Sequence, residues 1–239
     1  MKRRLKINGL IICLSLMMIL IFPRGFFRPI RVDFLNYVGE VVGLIFILLG
    51  LIIRVSSRGY KLEHSQQGKA LLEGGPYSIV RNPMYLGIFL IGIGLVLMFF
   101  QWWMALVFLF IFLSRYFMLI FTEEKNLRLI FPDTYPLYQR KTPRIFPLFF
   151  SVVDKDIAEY LPLKTAWIKK ESGTICILLS AVFSLDAWYD IRSSGVWAYV
   201  RTIAALLSVL IVFIFLVIYL VKRTAYLNKN DSAESQNTL

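Results

Sequence analysis

The sequence predicts an all-α, polytopic membrane helical bundle of about six transmembrane helices, and three observations carry that expectation. Hydrophobic residues make up 58% of the 239 and the mean hydropathy is +0.66, more apolar surface than a soluble domain of this size hides. The apolar residues gather into runs close to the roughly 20 residues that cross a bilayer core. When those runs are threaded through a membrane, most of the 27 Lys and Arg fall on one side, as cytoplasmic loops require. The net charge of +12 therefore follows the loops, and no nucleic-acid partner is expected.

The first element is an apolar run, Ile7 to Phe22, preceded by Lys2, Arg3, Arg4 and Lys6. No small-residue cleavage site follows, so it reads as a membrane helix rather than a signal peptide. Pro23, Arg24, Arg28 and Arg31 make a loop at the far side, where a re-entrant segment or a contact with anionic headgroups would explain the arginines. A second span runs from about Phe34 to Ile53 and includes Glu40. Arg54 to Asn82 is polar and basic, hence cytoplasmic. Pro83 to Phe100 and Trp102 to Phe121 are separated by little more than Gln101, which forces an antiparallel hairpin with tryptophans at its tip. Gly87, Gly92 and Gly94 should let another helix approach closely. Gly92-Ile93-Gly94 lacks a preceding strand and is no dinucleotide loop.

Residues 122–172 form the longest polar segment, and its part from Asp154 to Glu171 mixes lysines with Trp167 and other apolar residues in the manner of an interfacial segment, interrupted at Pro162. Two further spans, about Gly173 to Tyr189 and Trp197 to Val221, precede a polar tail from Lys222 that reads as disordered. Both termini then lie in the cytoplasm. Asp186 and Asp190 are expected to cap the outer end of their helix with water. Cys13 and Cys176 sit in apolar runs without a disulfide framework, and the lone His64 has no Cys/His cluster around it, so no metal site is expected.

The stretch Gly74 to Gly87, GGPYSIVRNPMYLG, organises the rest. Two glycines and Pro76 make a tight turn, Asn82 reads as an N-cap whose side chain accepts from first-turn N–H groups, and Pro83 opens the helix. That helix start, beside Arg81, suits a carboxylate or phosphate. Arg115, in the inner third of the fourth span, is costly there unless it serves a partner or snorkels to lipid phosphate. Glu123 lies about two turns beyond it. Glu123 and Glu124 leave the bilayer facing a loop rich in Tyr and Arg and are candidates for ribose hydroxyls or a cation, or are solvated surface charges.

Gly-Pro-Tyr, then Arg81-Asn82-Pro83-x-Tyr85-x-Gly87, Thr122-Glu123-Glu124, Phe131, Tyr135, Tyr138 and the basic stretch Lys141 to Pro147 together resemble the isoprenylcysteine carboxyl methyltransferase and phospholipid methyltransferase family. The resemblance covers roughly residues 60–150, and the family usually has His where this chain has Asn82. It implies a cytoplasmic cofactor pocket for S-adenosyl-L-methionine formed by Lys69, Ala70, Leu71, Leu72, Tyr77, Arg81, Asn82, Pro83, Met84, Tyr85 and Glu123. It further implies Arg115 on the substrate side. A phospholipid amine would need a base or desolvation to lose its proton, and Glu124 is the candidate for that base. The implied partners are the bilayer and a lipid or prenylated small-molecule or protein acceptor, in a plasma or ER-like membrane. An isoprenylcysteine-type carboxylate leads, ahead of a phospholipid amine. An NADPH-dependent sterol-type reductase and a non-catalytic scaffold are the competing classes. The organisation expected is 1–58, two helices; 59–150, the methyltransferase core; 151–221, an interfacial segment with two helices that serve dimerisation, substrate entry or nothing catalytic; and 222–239, the tail.

Overall fold

A computed structural model of the chain describes residues 23–27, 34–65, 70–147, 156–194 and 196–237. The first predicted span and Lys69 lie outside the described residues. The elements are α1 (Pro23–Phe26), α2 (Phe34–His64), α3 (Pro76–Ile79), α4 (Pro83–Phe99), α5 (Trp103–Ile130), α6 (Thr134–Lys141), α7 (Ile157–Tyr160), α8 (Thr165–Ser194) and α9 (Val196–Asn237). The described chain is all-helical, as expected from its runs.

Among the described residues, four helices are long and apolar enough to cross a membrane, within Tyr37–His64, Trp103–Ile130, Thr165–Trp188 and Thr202–Asn230. The predicted third span, α4, has 17 residues, or about 26 Å at 1.5 Å per residue, a little short of a hydrocarbon core of roughly 30 Å.

Helix α2 is the hub. Its Leu44, Ile47, Leu48 and Leu51, spaced to share one face, bury themselves against Met98 and Phe99 of α4, Val182 of α8 and Leu206 of α9. The α2–α4 seam is set by four glycines. An added Cβ at Gly94 would lie 2.6 Å from the Gly43 carbonyl oxygen and one at Gly43 2.7 Å from that of Gly94; Gly50 and Gly87 pair in the same reciprocal way. Gly87 and Gly94 therefore admit a neighbouring helix as expected, whereas Gly92 faces the Phe108 ring of α5. Because backbone rather than flexible side chain stands in the way, Gly94→Ala should destabilise the bundle by about 1–3 kcal/mol. Gly173→Ala in α8, with no described heavy atom within 4 Å of the new Cβ, should instead stabilise it by up to about 1 kcal/mol. Unfolding midpoints of the two variants in one detergent would check the opposite signs.

At the hairpin tip Trp102 is 81% exposed. The α1 turn docks beside it, the Phe26 carbonyl accepting from Gln101 N at 3.0 Å.

The C-terminal part differs from expectation in three respects. The interfacial segment is a short helix, α7, followed after Pro162 by the start of α8, so Thr165 to Glu171 belongs to a long helix rather than to a surface strip. The tail is not disordered at Lys222: α9 continues to Asn237. Thr224 accepts from Leu163 N at 3.1 Å and Arg223 donates to Asp156, while Leu216, Leu220 and Leu227 carry an apolar stripe beyond the predicted end of the span at Val221. Finally, Asp186 lies 3% exposed inside α8, buried among helices instead of capping an end, because α8 runs on to Ser194. The Asp190 side chain lies outside the described residues.

Candidate active site

The cavity lies where the hub helix, the Gly-Pro-Tyr turn and the hairpin ends converge. Gly75 has φ +56, and its carbonyl accepts from both Ser78 N at 3.0 Å and Ser78 Oγ at 2.7 Å. Tyr60 lies against this turn: a Cβ on Gly74 would meet its hydroxyl at 2.4 Å and one on Gly75 its ring at 2.9 Å. From there α3 presents Tyr77, whose carbonyl accepts from Tyr138 Oη of α6 at 2.6 Å.

The helix start at Asn82 is held differently from the expected cap. Asn82 makes no side-chain cap; its Nδ2 donates to the Arg144 carbonyl at 3.1 Å. The same carbonyl accepts from Asn82 N at 3.2 Å, and Pro143 O accepts from Arg81 N at 2.8 Å. A short strap at 143–144 thus pins the turn from behind, and with Nδ2 turned to this carbonyl the amide makes no cap bond to the first-turn N–H groups.

The resulting cavity has a volume of about 420 Å³, within the range of roughly 300–1,000 Å³ typical of small-molecule sites. Ala70, Leu71, Leu72, Tyr77, Arg81, Asn82, Pro83, Met84, Tyr85 and Glu123 all line it. Tyr85 Oη donates to Glu123 Oε1 at 2.9 Å across the α4–α5 seam, and Tyr85 packs on Tyr116 with ring centroids 5.3 Å apart.

Two predicted residues stand outside that wall. Arg115 is exposed on α5, above the cavity in the membrane-length part of the helix. Glu124 is buried behind the wall, 4% exposed. Arg144 binds it in bidentate fashion, Nε to Oε1 at 3.1 Å and Nη2 to Oε2 at 2.9 Å, and Arg81 Nη1 stands 3.0 Å from Oε1. Gln139 Nε2 lies 3.4 Å from the second oxygen. Both carboxylate oxygens are committed, so the role of proton acceptor expected of Glu124 does not suit its surroundings.

Two polar groups at this place remain unmatched. Arg81 Nε and the Tyr135 hydroxyl are buried without a hydrogen-bond partner among the described residues. The Arg81 guanidinium and the Gln139 amide stand near the Tyr135 hydroxyl, but neither forms a well-aligned bond to it. Burial pushes the phenols of Tyr77, Tyr138 and Tyr135 upward from their ordinary range, so all three are neutral donors at physiological pH.

Further lining comes from Lys61 and Ser65 at the end of α2, Ile88, and Asn126, Leu127 and Ile130. The last three follow Glu123 at one and two turns, a helical spacing that would have found them. The contact of Arg144 with Glu124 has no such local signal.

No curated protein and no solved structure matches the chain. A family model for phospholipid methyltransferase matches residues 38–134, the span from α2 to the first residue of α6. That family implies a methyltransferase in a membrane. Over the stretch that supplies most of the cavity wall, the chain thus matches the phospholipid methyltransferase family, in agreement with the resemblance its motifs carry.

Proposed function

We propose that the chain binds S-adenosyl-L-methionine in the cavity at the Asn82 helix start and transfers its methyl group to a lipidic acceptor. The observation that carries this reading is the convergence, on one cavity, of every described residue that the resemblance implies for the cofactor. Such a cofactor supplies an electrophilic methyl on a sulfonium; the chain's own residues have to align the acceptor with it and exclude water. Pro83, Met84 and Tyr85 wall the cavity on one side and Glu123 on the other, with Lys69 assigned to the segment before the turn. Glu123, held by Tyr85, offers negative charge to a cation. Arg115 stands about 12 Å along α5 from Glu123, at 1.5 Å per residue, where it would hold the anionic part of an acceptor lying in the membrane. The cavity then faces the cytoplasm, as the charge bias proposes.

A carboxylate acceptor of the isoprenylcysteine type is favoured, because it is already ionised and needs no base, and Glu124 has its oxygens bound to Arg144 and Arg81. Glu124 acts here by positioning. A phospholipid amine is the second reading, favoured by the exposed Glu123 at the mouth. Methyl transfer measured on a farnesylated cysteine analogue and on phosphatidylethanolamine vesicles decides between them. S-adenosylhomocysteine should raise the unfolding midpoint, since a ligand of the folded state stabilises it, and NADPH should not; the reverse result would favour the reductase.

Asn82→His should keep binding and turnover, because an imidazole N–H can reach the Arg144 carbonyl as the amide does. Asn82→Ala loses that bond, at about 1 kcal/mol, and should weaken cofactor binding several-fold in a titration. A gain of orders of magnitude in Asn82→His would instead mark the parent as a degenerate enzyme.

A further inference from the structure

We propose that the exposed face of α6 and the segment that follows it dock on the anionic headgroups of the bilayer, with Arg140 and Lys141 at headgroup depth and Phe146 in the acyl layer. The proposal starts from depth. Counted from Trp103 at the hairpin tip, the roughly 20 residues that cross a hydrocarbon core bring α5 to its border near Thr122. Lys125 stands about one turn beyond, exposed. From there α6 turns back along α5. Arg128 Nε donates to Gln139 Oε1 at 3.0 Å, and Gln139 Nε2 lies 3.4 Å from Glu124 Oε2, so the last turn of α6 returns to the level of Glu124, close to that border. The chain then climbs further. Ile145 is buried with Ile120 and Leu86, and Phe146 meets Phe89 edge-on with ring centroids 5.4 Å apart, about 9 Å along α4 from Pro83. Between Lys141 and Phe146 the chain therefore passes from the headgroup layer into the acyl layer.

Exposure and charge point the same way. On α6 Tyr135 and Tyr138 are buried, while Leu137 is 59% exposed and Arg140 and Lys141, three and four residues on and so beside it on the helix, are exposed too. Apolar and basic side chains on one face suit the plane of a membrane interface. Phe146 leaves 52% of its surface open, which acyl chains cover at no cost and water does not. No ion pair among the described residues uses Lys125, Arg140 or Lys141. Of the acids nearby, Glu124 is bound by Arg144 and Arg81, Glu123 accepts from Tyr85, and Asp133 stands at the opposite end of α6. The face is thus positive, and anionic headgroups supply the counter-charge at that depth. The same segment pins the Asn82 helix start through the carbonyls of Pro143 and Arg144, so docking holds one wall of the cavity against the bilayer.

The test uses the full chain in a neutral detergent, with phosphatidylglycerol or phosphatidylcholine of the same acyl chains added to the micelles. Phosphatidylglycerol should raise the unfolding midpoint by several degrees more than phosphatidylcholine, since a ligand of the folded state stabilises it, and salt at about 0.5 M should remove the difference by screening. Arg140→Gln combined with Lys141→Gln should lose most of the difference. Lys169→Gln combined with Lys170→Gln, a basic pair exposed near the start of α8, should keep it. Cations also suit the last turn of α6 through its dipole, so the lipid-free midpoint of each variant is subtracted first. Equal shifts by the two lipids in the wild type, or equal losses in the two double variants, would reduce the effect to the net charge of +12 and overturn the seat. Inorganic phosphate that reproduced the phosphatidylglycerol shift would make the ligand a free anion, and the docking would fail. Depth is read from bimane on Phe146→Cys, in a chain carrying Cys13→Ser and Cys176→Ser, in nanodiscs. Quenching by doxyl-labelled lipid and not by iodide is expected; quenching by iodide would place the segment in water and overturn the proposal.

Discussion

Glu124→Ala is expected to lower the stability of the chain by about 3–5 kcal/mol, the cost of removing one partner from a buried ion pair. The magnitude follows from what is left behind. Arg144 can turn toward water, and its guanidinium already lies 4.5 Å from the centre of the Phe121 ring, but the more deeply buried Arg81 would lose its one described anionic contact. The strap at 143–144, which holds the Asn82 turn through two carbonyls, would lose the side-chain anchor of Arg144 in the same step. Unfolding in detergent, with the exposed neighbour Lys125→Ala as reference, measures the effect. Equal midpoints for the two variants would show that Glu124 bears no such load.

Trp167→Ala is the second large effect, about 3–5 kcal/mol for an aromatic ring removed from a packed site. The Trp167 ring fills the space above Gly59, where an added Cβ would fall 2.0 Å from a ring atom. Its Nε1 donates to Glu63 Oε1 at 2.7 Å, and Lys164 binds the second oxygen of the same carboxylate. Truncation would open a hole between α2 and the start of α8 and leave Glu63 with one partner fewer. Release of the C-terminal part from α2 should appear as faster proteolysis around Asp156 at an otherwise folded hairpin. A midpoint within about 1 kcal/mol of the parent, with unchanged cleavage, would contradict this packing. Trp167→Phe should fall between, since it keeps most of the ring volume and loses the bond to Glu63.

Much of this molecule was legible because membrane helices announce themselves by length. The hairpin around Gln101 and the helix start at Pro83 follow from local runs and local motifs, and the wall residues from Ala70 to Tyr85 from the family resemblance those motifs carry. The failures share a different cause. Asn82 is a good cap in isolation, but a carbonyl 62 residues away claims its amide. Glu124 looked like its neighbour Glu123, yet one helical step of about 100° turns it from the cavity to two arginines. The tail from Lys222 is polar by composition and ordered by partners, Asp156 and Leu163, that no window around it contains. Gly43 and Gly50 were passed over because seven-residue spacing of glycines in an apolar run carries no meaning until the opposing Gly94 and Gly87 are seen at the same spacing.

The four-glycine seam also gives the cavity a mechanical grain. Where the backbones meet at the four glycines the two helices have little side chain to re-pack, so Lys61 near the end of α2, with Ser65 just beyond it, moves together with Met84 and Ile88 on α4 as one rigid jaw. The opposite jaw, Glu123 to Ile130, rides on α5, which packs against α4 and α6 and meets α4 through rings such as Phe89, Phe108 and Phe112. Tilted ring contacts slide where interlocked backbones cannot. Widening of the site is thus a tilt of α5 alone, and a 28-residue helix of about 42 Å changes its tilt with the thickness of the bilayer around it.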